Sequence, residues 1–158
     1  MPSNVNTRES YVEIGTSFDE NYNLINSLKL PVPHALPFTS EFLVDAGRNS
    51  EGTMILQQIG RGQNTEKYTL DKISNRKFWE INRWFDEYGY VFYMKFFNHS
   101  VGKIQIVRFY RSGTLSGEPS TLQQVIDGVS VPSYYTNVTM SLIDMGEDEV
   151  ITVKEIPI

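Results

Sequence analysis

A chain of 158 residues, 40% hydrophobic and 13% aromatic with 21% charged side chains, can bury one core and carries too few charges for a solvated polyelectrolyte. Its 14 Lys and Arg against 19 Asp and Glu, a net charge of −5, argue against coating nucleic acid phosphates as its main occupation. The absence of cysteine excludes disulfide frameworks, thiolate zinc sites and a cysteine nucleophile.

Met1 to Glu9 lack the apolar stretch of a signal peptide, and no segment approaches the roughly 20 apolar residues of a membrane-spanning helix. A soluble protein made in a cytoplasm is expected. Residues 1–37 are expected to be extended or irregular, because the first eight are polar without period and Pro31, Pro33 and Pro37 punctuate the stretch from Asn21. They form either an arm laid along the domain or a disordered lead into a loop, with Tyr11 to Ile14 as one short strand.

Residues 38–158 are expected to form a single mainly β domain with one α-helix. Glu41 to Asp45 predicts a strand, closed by a turn over Ala46 to Gly52, and Thr53 to Ile59 predicts its partner. Gly60 to Thr65 predicts a second turn and Lys67 to Ile73 a returning strand, which together make a meander. Ser74 is a helix cap, and Phe78, Ile81, Trp84, Phe85 and Tyr88 recur at three- and four-residue intervals before Gly89, which predicts a helix over Ser74 to Tyr88. Phe78, Ile81, Phe85 and Tyr88 are expected inward and Trp79 at the boundary.

The run Tyr90 to Phe97 is apolar on both faces and predicts a central strand covered twice. In Gly102 to Arg111, Ile104 and Ile106 oppose Val107 and Phe109, so that strand is covered on both faces or shifted by a bulge. Ser112 to Tyr135 is rich in Gly, Ser and Pro and predicts a long contact-making loop with one helical turn at Thr121 to Ile126. Asn137 to Met145 and Val150 to Ile156 predict a hairpin closed by the acidic turn Gly146 to Glu149.

Catalytic chemistry finds little support. His34 and His99 have no ligand at metal-binding spacing, and neither a Gly-x-Ser-x-Gly elbow nor a phosphate-binding Gly-rich loop is present. Glu147, Asp148 and Glu149 fit a solvated turn better than a calcium loop. Tyr90, Tyr93, Tyr110, Tyr134 and Tyr135 could stack on sugars or bases, but half-buried strands select aromatics anyway. No catalytic, cofactor-binding or metal-ligating residue is assigned.

The ordered set formed by Arg48-Asn49-Ser50-Glu51-Gly52-Thr53-Met54-Ile55, Leu70, the helix with Trp84 and the aromatic strand after Gly89 resembles the small tail proteins of tailed bacteriophages. The resemblance covers Phe38 to Met145. It implies a tail-tube type of fold, a β-sandwich or split β-barrel with the helix on its flank, in which copies close a sixfold ring around the tail channel. Distal-tail and baseplate hub proteins use the same core. Expected partners are further copies, other tail or baseplate proteins and DNA in transient passage, in a virion assembled in the host cytoplasm. The longer N-terminal region and the 112–135 insertion depart from the small family members and leave the station along the tail open.

Open sheet edges argue for assembly independently, since pairing between subunits removes an aggregation hazard. Arg48, Asn49, Gly52, Trp79, Tyr134 and Tyr135 are the expected interface residues. Two other functions compete: a carbohydrate- or cell-surface-binding module with Tyr134 and Tyr135 as its platform, and a small enzyme with a composite site around His99.

Overall fold

The computed structural model describes residues 12–31, 38–48 and 54–158. Twelve strands and one helix follow in chain order among them: β1 (Val12–Gly15), β2 (Ser17–Phe18), β3 (Leu24–Ile25), β4 (Leu28–Lys29), β5 (Phe38–Arg48), β6 (Met54–Ser74), α1 (Asn75–Tyr88), β7 (Val91–Asn98), β8 (Lys103–Pro119), β9 (Gln123–Ile126), β10 (Val129–Pro132), β11 (Tyr134–Asp144) and β12 (Val150–Glu155). The chain is thus mainly β with a single helix among the described residues, as its patterning predicts. The main sheet runs β4-β1-β7-β8-β11-β6-β5, with β12 also on β8, and every pairing is antiparallel. It is open at β4 and β5, which fits a sandwich and not a closed barrel.

Period-two burial builds the inner face. Phe92, Met94 and Phe96 of β7, Val107 and Phe109 of β8, Val138, Met140 and Leu142 of β11, and Tyr68 and Leu70 of β6 all point into one core. The helix covers it with Ile81, Trp84 and Phe85, each at most 7% exposed. Burying such a large side chain is worth about 2–3 kcal/mol by area. Ser74 caps the helix by accepting from the Lys77 amide at 3.3 Å, and Gly89, at φ +93°, donates its N–H to the Phe85 carbonyl at 2.7 Å. Only glycine adopts that φ without strain.

Tyr88 departs from its expected inward position. It lies at the last turn and is 37% exposed, its ring tilted against Trp84, which fills the core in its place. Phe78 is half-buried. Strand β7 is dry on one face and half-buried on the other, whereas β8 is covered twice at Ile106 and Val107, both 1% exposed.

The segment expected as an arm enters the sheet itself. Strand β1 pairs with β7 and β4, and Val12, Ile14 and Leu30 are fully buried. Ala46 to Arg48, expected to open a turn, instead continue β5 because they pair with Leu56 to Met54 of β6, while Tyr11, the rest of that expected turn at Asn49 to Gly52, and Thr53 lie outside the described residues.

The expected turn at Gly60 to Thr65 is instead the interior of the 21-residue strand β6. Its glycines fall where the register slips: Glu41 pairs with Gln63 but Leu43 with Ile59, so Gly60-Arg61-Gly62 makes an irregularity in an unbroken ladder. Residues Met54 to Glu66 pair with β5 and Thr65 to Ser74 with β11, so β6 changes partner at Thr65 and Glu66.

The expected long loop at Ser112 to Tyr135 is also strand. Its first part extends β8 along β11, and its second is the β9–β10 hairpin, so the helical turn expected at Thr121 to Ile126 is β9. Asp127 at φ +52° and Gly128 at φ +80° supply the two left-handed residues that a tight hairpin turn requires.

The expected C-terminal hairpin does not form. Both β11 and β12 pair with β8, β11 along Phe109 to Pro119 and β12 along Lys103 to Val107, so the chain continues in one direction. Residues 145–149 make an excursion, begun where Asp144 Oδ1 accepts the Gly146 amide at 2.8 Å and Gly146 takes φ +78°.

Candidate assembly surface

The first turn of α1 and the start of β11 bring two expected interface residues together. Trp79 and Tyr135 meet because β11 pairs with the end of β6, directly before the helix, with Tyr135 opposite Ile73. The Trp79 indole N–H donates to the Tyr135 hydroxyl at 3.2 Å, and the Tyr135 ring stacks on Phe78 at 4.3 Å and 23°. Gly117 of β8 closes the cluster from below, since a Cβ there would lie 3.1 Å from Val138 and 3.8 Å from Phe78.

Tyr134, its neighbour along the strand, projects to the opposite face, where the Lys72 ammonium lies 4.2 Å above its ring. The two tyrosines therefore share no plane on which a sugar could stack. Arg48 pairs with Met54 at the far end of β5, at a distance in the fold from Trp79 and Tyr135, while Asn49 and Gly52 lie outside the described residues.

Beside the Trp79 cluster an open groove of about 710 Å³ runs between α1, the chain at Ser27 and Leu28, and the β9–β10 turn at Ile126 and Asp127. Trp84 forms part of its floor, its indole N–H donating to the Asn26 carbonyl at 2.8 Å. Arg76, Arg83, Glu80 and Glu87 line it with charges of both signs. Across from the helix, Leu122, Val125 and Val129 are 62%, 73% and 58% exposed on and beside the β9–β10 hairpin.

Buried polar groups that sequence reasoning passed over lie on the inner face of the sheet. Glu66 is 2% exposed, and burial pushes its carboxyl up to about 8 from the ordinary 4.5. Its Oε2 takes no hydrogen bond among the described residues. Asp144, also 2% exposed, accepts the Asn64 amide at 3.2 Å and the Gly146 amide. The Arg111 guanidinium lies 4.8 and 4.6 Å from the Phe85 and Tyr90 rings, with an unpartnered Nε, and burial pulls its pKa down. Tyr68 donates its hydroxyl to the Pro31 carbonyl, and burial raises its pKa beyond the usual phenol range.

The residues considered for an enzyme give no constellation. His99 is exposed and packs edge-on against Phe97 at 5.1 Å, and His34 lies outside the described residues. Among the described residues no three His, Asp or Glu gather as metal ligands, and no helix is long and apolar enough to cross a membrane.

No family model and no curated protein matches the sequence. Among solved structures, the fold is similar to that of a chain in the virion of a native gene transfer agent particle. The two share 11% sequence identity and a TM-score of 0.53 over 97% of this chain and 100% of the other. At that identity the likeness is one of fold.

Proposed function

We propose that this protein is a non-enzymatic structural component of a phage-like virion, assembling through subunit contacts into a ring of the tail, as a tail-tube, distal-tail or baseplate hub subunit. The observation that carries the proposal is the end-to-end fold likeness to a virion chain, with 97% and 100% of the two chains matched. Independent support comes from the sheet. It ends in open edges at β4 and β5, and the β5–β6 hairpin beyond Glu66 pairs with no other strand among the described residues. Unpaired edges of that length are stable in an assembly that covers them.

A sixfold ring around a channel is the form of assembly proposed, with Arg48, Asn49 and Gly52 at one contact and Trp79 with Tyr135 beneath another. A net charge of −5 suits a lumen through which DNA slides without sticking. Tyr134 and Tyr135 point away from each other, so a glycan platform built on both has no geometric support.

Mass measurement and electron imaging of the full chain over a wide concentration range test the proposal. Closed rings, sixfold by preference, are expected at high concentration. A chain that stays monomeric at every concentration and fails to join rings when mixed with preformed seeds would overturn it.

A further inference from the structure

Strand β6 is shared between two neighbours, and Glu66 stands where they meet. Its backbone pairs with Phe38 of β5 on one side and Leu142 of β11 on the other, the last position at which β5 touches the strand. Everything in β6 before Thr65 belongs to the hairpin with β5 alone, so this row is the root of the hairpin.

An acid is an unusual residue for such a place. Ionised and 2% exposed, with Oε2 lacking any donor among the described residues, it would be a buried charge without compensation. Among the described residues the surroundings provide no remedy. Leu142 stands directly opposite on β11, and Arg111 of β8 lies one position beyond Leu142 in the same row, held against Phe85 and Tyr90. Asp144 of β11, the other buried carboxylate of this face, accepts from Asn64 and supplies no donor to Glu66. On β6 itself Tyr68 is engaged with Pro31 and Lys67 is exposed. The charged residues of α1 lie on its outer face, with Arg76, Glu80, Arg83, Asp86 and Glu87 exposed and Lys77 paired with Glu80. Glu13 of β1 alternates with the buried Val12 and Ile14 and so lies on the outer face, and Lys29 of β4 is exposed.

We propose that Glu66 is a protonation latch at the root of the β5–β6 hairpin, holding the hairpin to the sheet while its carboxyl carries a proton and releasing it when the proton leaves to solvent. The ionised form needs water at Oε2, and water reaches it only if β6 parts from β5 or β11 at this row. The opening is local, because β7, β8 and α1 keep their own core. A carboxyl held neutral up to about 8 places the change in mildly alkaline solution.

Two measurements on the full chain test the latch. Carbon-detected NMR follows the Glu66 carboxyl through the pH range, and amide hydrogen exchange, corrected for intrinsic rates, compares Leu43, Ile59 and Asn64 with Met94 and Val107. Protection of the hairpin amides is expected to fall by up to about tenfold per pH unit between the ordinary carboxylate range and the Glu66 midpoint, following one proton, and to level off above it, while the β7–β8 amides hold. In Glu66→Gln the two groups of amides should keep a constant ratio. Should that variant not fold, Glu66→Met serves, since it too cannot ionise. A Glu66 resonance titrating in the ordinary carboxylate range, or identical hairpin profiles in wild type and variant, would overturn the proposal.

Discussion

The indole N–H of Trp79 donates to the phenol oxygen of Tyr135 at 3.2 Å, fastening the first turn of α1 to the strand that begins 56 residues later. Tyr135→Phe removes the acceptor and keeps the stack on Phe78, and should cost about 1 kcal/mol. Tyr135→Ala removes both and should cost about 3 kcal/mol. Urea unfolding of the two variants checks the order. Equal and negligible costs would mean that the ring faces solvent and is available to a ligand.

Gly15 ends β1 against β3, where a Cβ would lie 2.8 Å from Leu24 Cβ and 2.9 Å from the Ile25 carbonyl. Both are close to the backbone and cannot swing away. Gly15→Ala should therefore destabilise by about 1–3 kcal/mol through overpacking. The effect should appear in denaturant midpoints and as lost protection at Thr16, whose amide donates to the Ile25 carbonyl.

Trp84 links the helix to the N-terminal segment through its indole N–H and the Asn26 carbonyl while stacking edge-on against Phe85 and Phe92. Trp84→Phe removes this hydrogen bond from the Asn26 carbonyl and should cost about 1 kcal/mol. Trp84→Ala adds a cavity and should cost about 3–5 kcal/mol. Loss of the 84-specific tryptophan fluorescence change on unfolding, with Trp79 retained, provides the internal check.

Global stability should also depend on pH through Glu66. The unfolded chain releases this proton near the ordinary 4.5 and the folded chain near 8, so between those values the folded state binds more protons. Stability therefore falls as pH rises across that window, by at most about 1.4 kcal/mol per unit, and levels off above it. Urea midpoints of wild type and Glu66→Gln at about pH 5, 7 and 9 test the sign, with the variant expected to lose this slope. A wild-type midpoint rising from pH 5 to 7 by as much as in the variant would contradict it.

Local patterns carried the elements that local physics decides. Helix α1 was legible from its three- and four-residue spacing, its Ser74 cap and Gly89, because those signals act within a turn of chain. The buried alternation of Val138, Met140 and Leu142 was legible for the same reason. Trp79 and Tyr135 could be named as surface residues, and their hydrogen bond could not, since nothing local relates positions so far apart.

What the chain does at Gly60 to Gly62, Ser112 to Pro119 and Gly146 to Glu149 was decided only by tertiary pairing. Glycine permits a turn, a bulge or a twisted strand, and the neighbour present selects among them: β5 turns the first glycines into a slipped register, and β11 draws the second segment out as strand. β8 carries β12 straight on from β11. Glu66 fell between the turn expected at Gly60 to Thr65 and the strand expected from Lys67, and only the meeting of β5, β6 and β11 made it a buried acid with an oxygen unsatisfied among the described residues.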